Sequence, residues 1–404
     1  MLHARHLRLH PLNSQRPLER RGMANARQLL SELIALPSVN PAFLPANDPR
    51  AGEQRVADFL AAVAIHGGLD VEVQEVFPGR TNLLARLAPR GKARQRIMLA
   101  PHMDTVGGAS PEIFQPREQN GRLHGRGACD TKGSIAAMLA ALIELAGSSQ
   151  RPKGTEVVFA GLVDEENGQA GSRALVAKGF KADLAIVGEP TRLQVVTAHK
   201  GDLWLQLETR GKTAHGSRPE LGKNAIHEMA RIVELFETSY ARTLRRRKHR
   251  LLGRPTVSVG TVAGGSQPNI VPDRCLISVD RRTVPGETDA GVRREIKALL
   301  RKNGLKAELL NIRAAPCPAM ETNPKLPLVK AFMQITGQKK PLGVHYFCDG
   351  AVLAGGGIPS VVFGPGDIAQ AHTADEWISL RELHTATGML LLFLQSLPDR
   401  KSVV

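Results

Sequence analysis

Aromatic residues make up only 4% of this 404-residue sequence, with two tryptophans and two tyrosines. So few rings leave little to build a base-stacking platform for single-stranded nucleic acid. Cysteine is equally sparse: Cys129, Cys275, Cys317 and Cys348 are scattered, with no Cys-x-x-Cys pair. That excludes a disulfide scaffold and points to a reducing, cytoplasmic setting. No apolar run approaches the roughly 18 residues a membrane helix needs. The best candidate, Ile135 to Ala146, is interrupted by Glu144 and reads as a core helix. Residues 1–22 lack the apolar segment of a secretory signal. A soluble protein is expected.

Positive charge is abundant, at a formal net +16. Much of it is local. Residues 1–22 carry five arginines against one acid, and 242–250 add six more cations. The first stretch reads as a disordered extension ahead of the helical start at Met23, and the second as a solvated helix end or loop. A non-enzymatic nucleic-acid or anionic-surface binder is the competing reading of this charge. It predicts steeply salt-dependent affinity, but no recognised nucleic-acid motif accompanies it. Neither a nucleic-acid nor a membrane partner is expected.

From Ala24 onward, helical spacing alternates with short, continuously apolar segments. Helices are predicted over about 24–36, 51–67, 133–146 and 170–178, and strands at 70–76, 82–88, 95–101, 155–163, 183–188 and 193–198. This is the pattern of an α/β domain with a covered, mostly parallel sheet. Near residue 200 it changes to alternating strands (203–210, 255–262, 274–282, 306–312) and two helices (223–240, 288–302). That β-α-β-β-α-β order fits a small ferredoxin-like insert. The α/β pattern then resumes with a helix at 325–336, a strand at 359–363 and a helix at 380–396. The expected organisation is a basic extension over 1–22, a catalytic domain over 23–199 and 315–404, and an inserted domain over 200–314.

Charged and imidazole side chains stand where the apolar strands end. His102 and Asp104 follow 95–101, Asp130 lies in a glycine-rich turn before a helix, Asp164-Glu165-Glu166 follow 155–163, and Glu189 follows 183–188. His372 falls in a late glycine- and proline-rich loop. Taken singly, each has an ordinary explanation; Asp130, for example, suits a helix N-cap. Adjacent residues in extended chain face opposite ways, so Glu165 and Glu166 have separate duties. One can ligate a metal while the other faces the substrate as a base. His102, Asp130, Glu166, Glu189 and His372 together supply two imidazoles and three carboxylates, ligand types that zinc accepts. Five ligands with one shared carboxylate suit two ions roughly 3.5–4 Å apart.

The motif set Pro-His-Met-Asp-Thr-Val, Gly-Arg-Gly-x-x-Asp-x-Lys-Gly, Asp-Glu-Glu-x-Gly, Gly-Glu-Pro-Thr and the late Ala-His resembles the dizinc amidohydrolases and exopeptidases. That family includes acetylornithine deacetylase, succinyl-diaminopimelate desuccinylase, aminoacylases and glutamate carboxypeptidases. The resemblance spans essentially residues 24–400. It implies a phosphorylase/hydrolase-like catalytic domain with a mixed, mostly parallel sheet, interrupted by a ferredoxin-like dimerisation (lid) domain. Two divalent ions per chain are implied, zinc with cobalt or manganese as alternatives. Asp130 would bridge them, with His102 and Glu189 on one and Glu166 and His372 on the other. Glu165 would be general base and acid, and Asp104 would hold the His102 ring. In the insert, His215 would reach across a homodimer interface to the oxyanion, and Asn269 and Arg282 would hold the substrate; whether Arg282 or its neighbour Arg281 faces the substrate depends on strand register. Cys129 reads as a packed thiol. The stretch around His372 most resembles the acetylornithine deacetylase branch, which implies hydrolysis of N-acetylornithine to ornithine and acetate in arginine synthesis. The desuccinylase and a dipeptidase or carboxypeptidase are the alternatives. Cys348 departs from the Ser/Thr-Asp of the desuccinylase branch.

Overall fold

The computed structural model describes residues 25–108, 110–312 and 315–397. The basic extension over 1–22 and the insert boundary at 314/315 lie outside the described residues. Nine described strands form one mixed sheet. Its order is Asp70–Phe77, Arg80–Leu87, Thr155–Gly161, Gln95–Pro101, Leu184–Gly188, Ser360–Val362, Val196–His199 and Met320–Glu321, with Leu342–Val344 also pairing with Val196–His199. The central four, from Thr155–Gly161 to Ser360–Val362, run parallel. Their side chains are almost wholly buried, which is why they read as unbroken apolar runs rather than alternating ones. The Lys132–Gly147 helix is buried on nearly every side. With Asn25–Ile34 and Leu380–Gln395 it forms the core on one face of the sheet, joined by Phe332, Phe363 and Phe393. A second apolar cluster, with Leu175 and Leu353, covers the other face.

A separate antiparallel sheet has the order Thr256–Gly264, Arg274–Thr283, Gly201–Arg210, Glu308–Asn311. Leu203, Leu205, Leu207, Ile277 and Val279 pack there against the helices Ala225–Leu235 and Asp289–Lys302. Strand alternation settles the register. Arg281 falls on the buried face, bonded to Glu287 (2.6 Å) and Tyr240 (3.2 Å), while Arg282 falls on the other face. The two sheets meet at Gly201, where a Cβ would collide with Thr283 and with the backbone at Cys317 and Ala319.

Some expectations shift. The strand expected from 193 begins at Val196 because Arg192 and Leu193 adopt positive φ angles of 54° and 61°. The helix expected to end near 240 continues through a π-turn at Phe236–Tyr240 into Ala241–Arg245. Arg247, in the stretch read as solvated, is bonded to Glu287 (2.6 Å) and Glu295 (2.5 Å). No described helix is long and apolar enough to cross a membrane.

Candidate metal centre

The strand ends converge. His102 continues the Gln95–Pro101 strand and bridges to Leu162, Glu165 and Glu166 follow the Thr155–Gly161 strand, and Glu189 follows Leu184–Gly188. This is the carboxyl edge of a parallel sheet, where open α/β folds place their ligands. Asp130 arrives from the turn ahead of the Lys132–Gly147 helix. Gly125 there has φ 148°, and a Cβ at that position would strike Ile34.

Asp130 stands between the two imidazoles. Its Oδ1 lies 3.1 Å from His102 Nε2 and its Oδ2 lies 3.3 Å from His372 Nε2. His102 Nε2 is also 3.8 Å from Glu189, and His372 Nε2 is 3.1 Å from Glu166. One ligand atom each from His102, Asp130 and Glu166, and likewise from His102, Glu165 and Glu189, lie within 4.8 Å of one another. His372 sits in left-handed backbone (φ 62°) with a half-exposed ring, on the solvent side of the cluster.

The electrostatics are those of an anionic cage. Burial, then the Asp130 charge, pushes Glu166 up to about 7. Burial and neighbouring carboxylates raise Glu165 and Glu189 well above the carboxylate range. Burial opposes a charged His102, yet Asp104 and Asp130 outweigh it and hold the imidazole well above its ordinary value. The ion pairs with Asp130 and Glu166 carry His372 to about 10. Burying this many carboxylates together is costly unless cations join them. Glu166 Oε1 is buried without a partner. An orphaned carboxylate oxygen beside two inward imidazole nitrogens fits one or more divalent cations.

Asp104 does more than orient a ring. His102 Nδ1 lies 2.9 Å from the Asp104 carbonyl and 3.4 Å from its carboxylate. That carboxylate accepts the backbone N–H of Glu165 and of Glu166, each at 3.1 Å, and the Asn40 amide at 2.8 Å. Asp164 (φ 68°) is tied to Asn40 (3.0 Å) and Arg80 (3.2 Å), and its N–H donates to Glu53 (3.1 Å). Arg80 also forks onto Glu53, with both bonds at 2.6 Å. Glu53, Arg80 and Asn40 carry no motif and are revealed only by these contacts. Asp349, buried and bonded to Ser172 Oγ (2.6 Å), is pushed by burial to about 7 and raises Glu165 in turn. Cys129 is buried, with Sγ 3.3 Å from the Asp367 carbonyl.

The remaining candidates lie elsewhere. His215 pairs with Ile270, its Nδ1 is 2.8 Å from Ser217 Oγ, and the neighbouring Gly216 N–H donates to the Asn269 carbonyl (2.7 Å). Arg282 forks onto Asp280, both bonds 2.9 Å, and lies 3.6 Å from Asp202. Cys275 pairs with Gly264, toward the Asn269 end of the sheet, whereas Thr283 pairs with Gly201. Arg282 is therefore about 20 Å along the strand from the His215 end, at roughly 3.3 Å per residue. His215 and Asn269 thus lie toward one end of this sheet and Arg282 toward the other.

The chain is similar to known proteins in sequence and in fold. The model of "Peptidase family M20/M25/M40" matches residues 98–396. An acetylornithine deacetylase of Myxococcus xanthus is 30% identical over 378 residues, covering 90% of this chain and 95% of the relative. That of Edwardsiella ictaluri is 32% identical over 367 residues, covering 87% and 92%. Among solved structures, aminopeptidase PepT from Bacillus cereus is similar with TM-score 0.75 and 22% identity, covering 93% of this chain and 99% of that one. A dinuclear metal binding peptidase of family M20 from Bacillus subtilis is similar with TM-score 0.66 and 15% identity, covering 92% and 97%.

Proposed function

Because the chain belongs to peptidase family M20/M25/M40, we propose that it is a dimetal amidohydrolase that removes the acyl group from an N-acyl amino acid, with N-acetylornithine as the preferred substrate. The observation that carries the reading is Asp130, one carboxylate set between two imidazoles that each reach a further acid. His102, Asp130 and Glu189 would hold one ion, and Asp130, Glu166 and His372 the other. Such ions, zinc foremost, supply Lewis acidity at the amide and at its nucleophile. The chain's own residues do the rest. Glu165, its N–H anchored on Asp104, takes a proton from the attacking water and passes it to the departing amine nitrogen, so the amide becomes a carboxylate and a free amine. Its burial among carboxylates suits a group that must both accept and return a proton. Asp104 positions the Glu165-Glu166 backbone and the His102 ring.

His215 and Asn269 act on the site of a second copy. The edge strand Thr256–Gly264, with its exposed Val262, and the exposed Leu221, Ile226 and Ile270 on the neighbouring turn, helix and loop support pairing through this region. In this reading residues 200–314 form the dimerising insert. Arg282 offers its fork to the substrate carboxylate in exchange for Asp280. The deacetylase names of the relatives support the acetylornithine preference, with a place in arginine synthesis in the cytoplasm. Comparing kcat/KM for N-acetylornithine, N-succinyl-diaminopimelate and a dipeptide tests it. If acetylornithine is the poorest of the three, the substrate reading fails.

A further inference from the structure

Glu376 is a buried acid, 3% exposed, four residues after His372 and just before the Trp377–Ser379 strand. Its Oε1 accepts the backbone N–H groups of Cys129 (2.8 Å) and Asp130 (2.9 Å). Its Oε2 accepts the N–H of Gly127 (2.9 Å) and Arg126 Nη1 (2.8 Å). The Glu376 carbonyl accepts the N–H of Gly125 at 2.9 Å. One residue thus closes the whole turn that presents Asp130. Convergent amides of this kind form an anion-binding nest, and its charge-assisted bonds are strong. Burial, and after it the neighbouring Asp130 carboxylate, works against a second negative charge here. A neutral acceptor would escape that repulsion but could not serve four donors with two oxygens.

We propose that Glu376 is a positioning residue of the metal centre. It fixes the backbone of Asp130 so that both oxygens meet the two imidazoles, and it ties that turn to the loop carrying His372. The inference rests on the dimetal reading above. Glu376→Gln places an amide NH2 against donors whichever way it is turned. Divalent-ion affinity measured by chelator competition, using Zn2+ as probe, should fall about 10–100-fold, as for other residues that orient metal ligands. KM of the residual activity should stay unchanged, and Glu376→Asp, which keeps the charge on a shorter arm, should lose less. Glu287→Gln, which weakens a part-buried pair with Arg281 beside the other sheet, should lower the melting temperature and leave metal affinity intact. Wild-type affinity in Glu376→Gln, or an equal loss in Glu287→Gln, would overturn the proposal. If Glu376→Gln does not fold, wild-type affinity in Glu376→Asp overturns it instead. Wild-type protein that takes up fewer than two ions overturns the dimetal reading itself, so that titration comes first.

Discussion

Relative to the metal-bound protein, the chain stripped of divalent ions should lose stability as pH rises from about 5 to 8. In the metal-free fold Glu166 titrates near 7 against a reference of 4.5, and Asp349 near 7 against 3.8. Glu165 and Glu189 are shifted in the same direction. Between those values the folded chain holds protons that the unfolded chain has released, so stability declines with pH. At 1.36 kcal/mol per unit, Glu166 alone costs about 3 kcal/mol once the pH has passed 7. His372 adds to the trend, because the stability its ion pairs provide is complete below 6.5 and is lost as pH rises through about 10. With an unfolding entropy of roughly 2 cal/mol/K per residue, about 3 kcal/mol lowers the melting temperature of a 404-residue chain by about 4 °C. Bound dications reverse the sign, because they take up deprotonated ligands and release protons. Calorimetry at pH 5, 6, 7 and 8, with chelator and with excess Zn2+, reads both slopes. His199 and Lys132, pushed down by burial to about 4 and about 7, add stability with rising pH in both states and cancel in the comparison, so parallel profiles would refute the reasoning.

Glu165→Gln should keep both ions and lose at least about 10²–10⁴-fold in kcat, the usual worth of a general acid-base group; near-wild-type turnover would remove Glu165 from the mechanism. Mixing inactive Glu165→Gln with inactive His215→Ala should restore activity. In the mixed dimer one site has an intact Glu165 and receives His215 from the other chain, and no recovery after subunit exchange would place His215 outside its partner's site. Arg80→Ala leaves the buried Glu53 uncompensated and should destabilise the fold by about 3–5 kcal/mol in chemical denaturation. A loss under 1 kcal/mol would mean that solvent reaches Glu53.

The sequence announced the parallel centre because strands buried on both faces must be apolar throughout, as Ile97 to Ala100 and Leu184 to Val187 are. Where such runs stop abruptly in His102, Glu165-Glu166 or Glu189, the sheet's carboxyl edge becomes visible in one dimension. Other features left no local trace. The three-residue strands Arg117–Gln119, Arg122–His124 and Trp377–Ser379 are too short to show a period. Glu376 and Asp375 are adjacent acids in the sequence. One closes the Asp130 turn and the other is largely exposed beside His124. The Glu53–Arg80–Asp164 network joins residues far apart in the chain, and only the fold brings them into contact. Asp164, marked in the sequence only as the first of three adjacent acids, is held by Arg80 and Asn40.

Asp130 between two imidazoles is the centre of this account, and counting bound ions tests it most directly. Elemental analysis of the full chain, after equilibration with Zn2+ and removal of the unbound ion, should give two ions per chain, both releasable by chelator. One ion, or none, would contradict it.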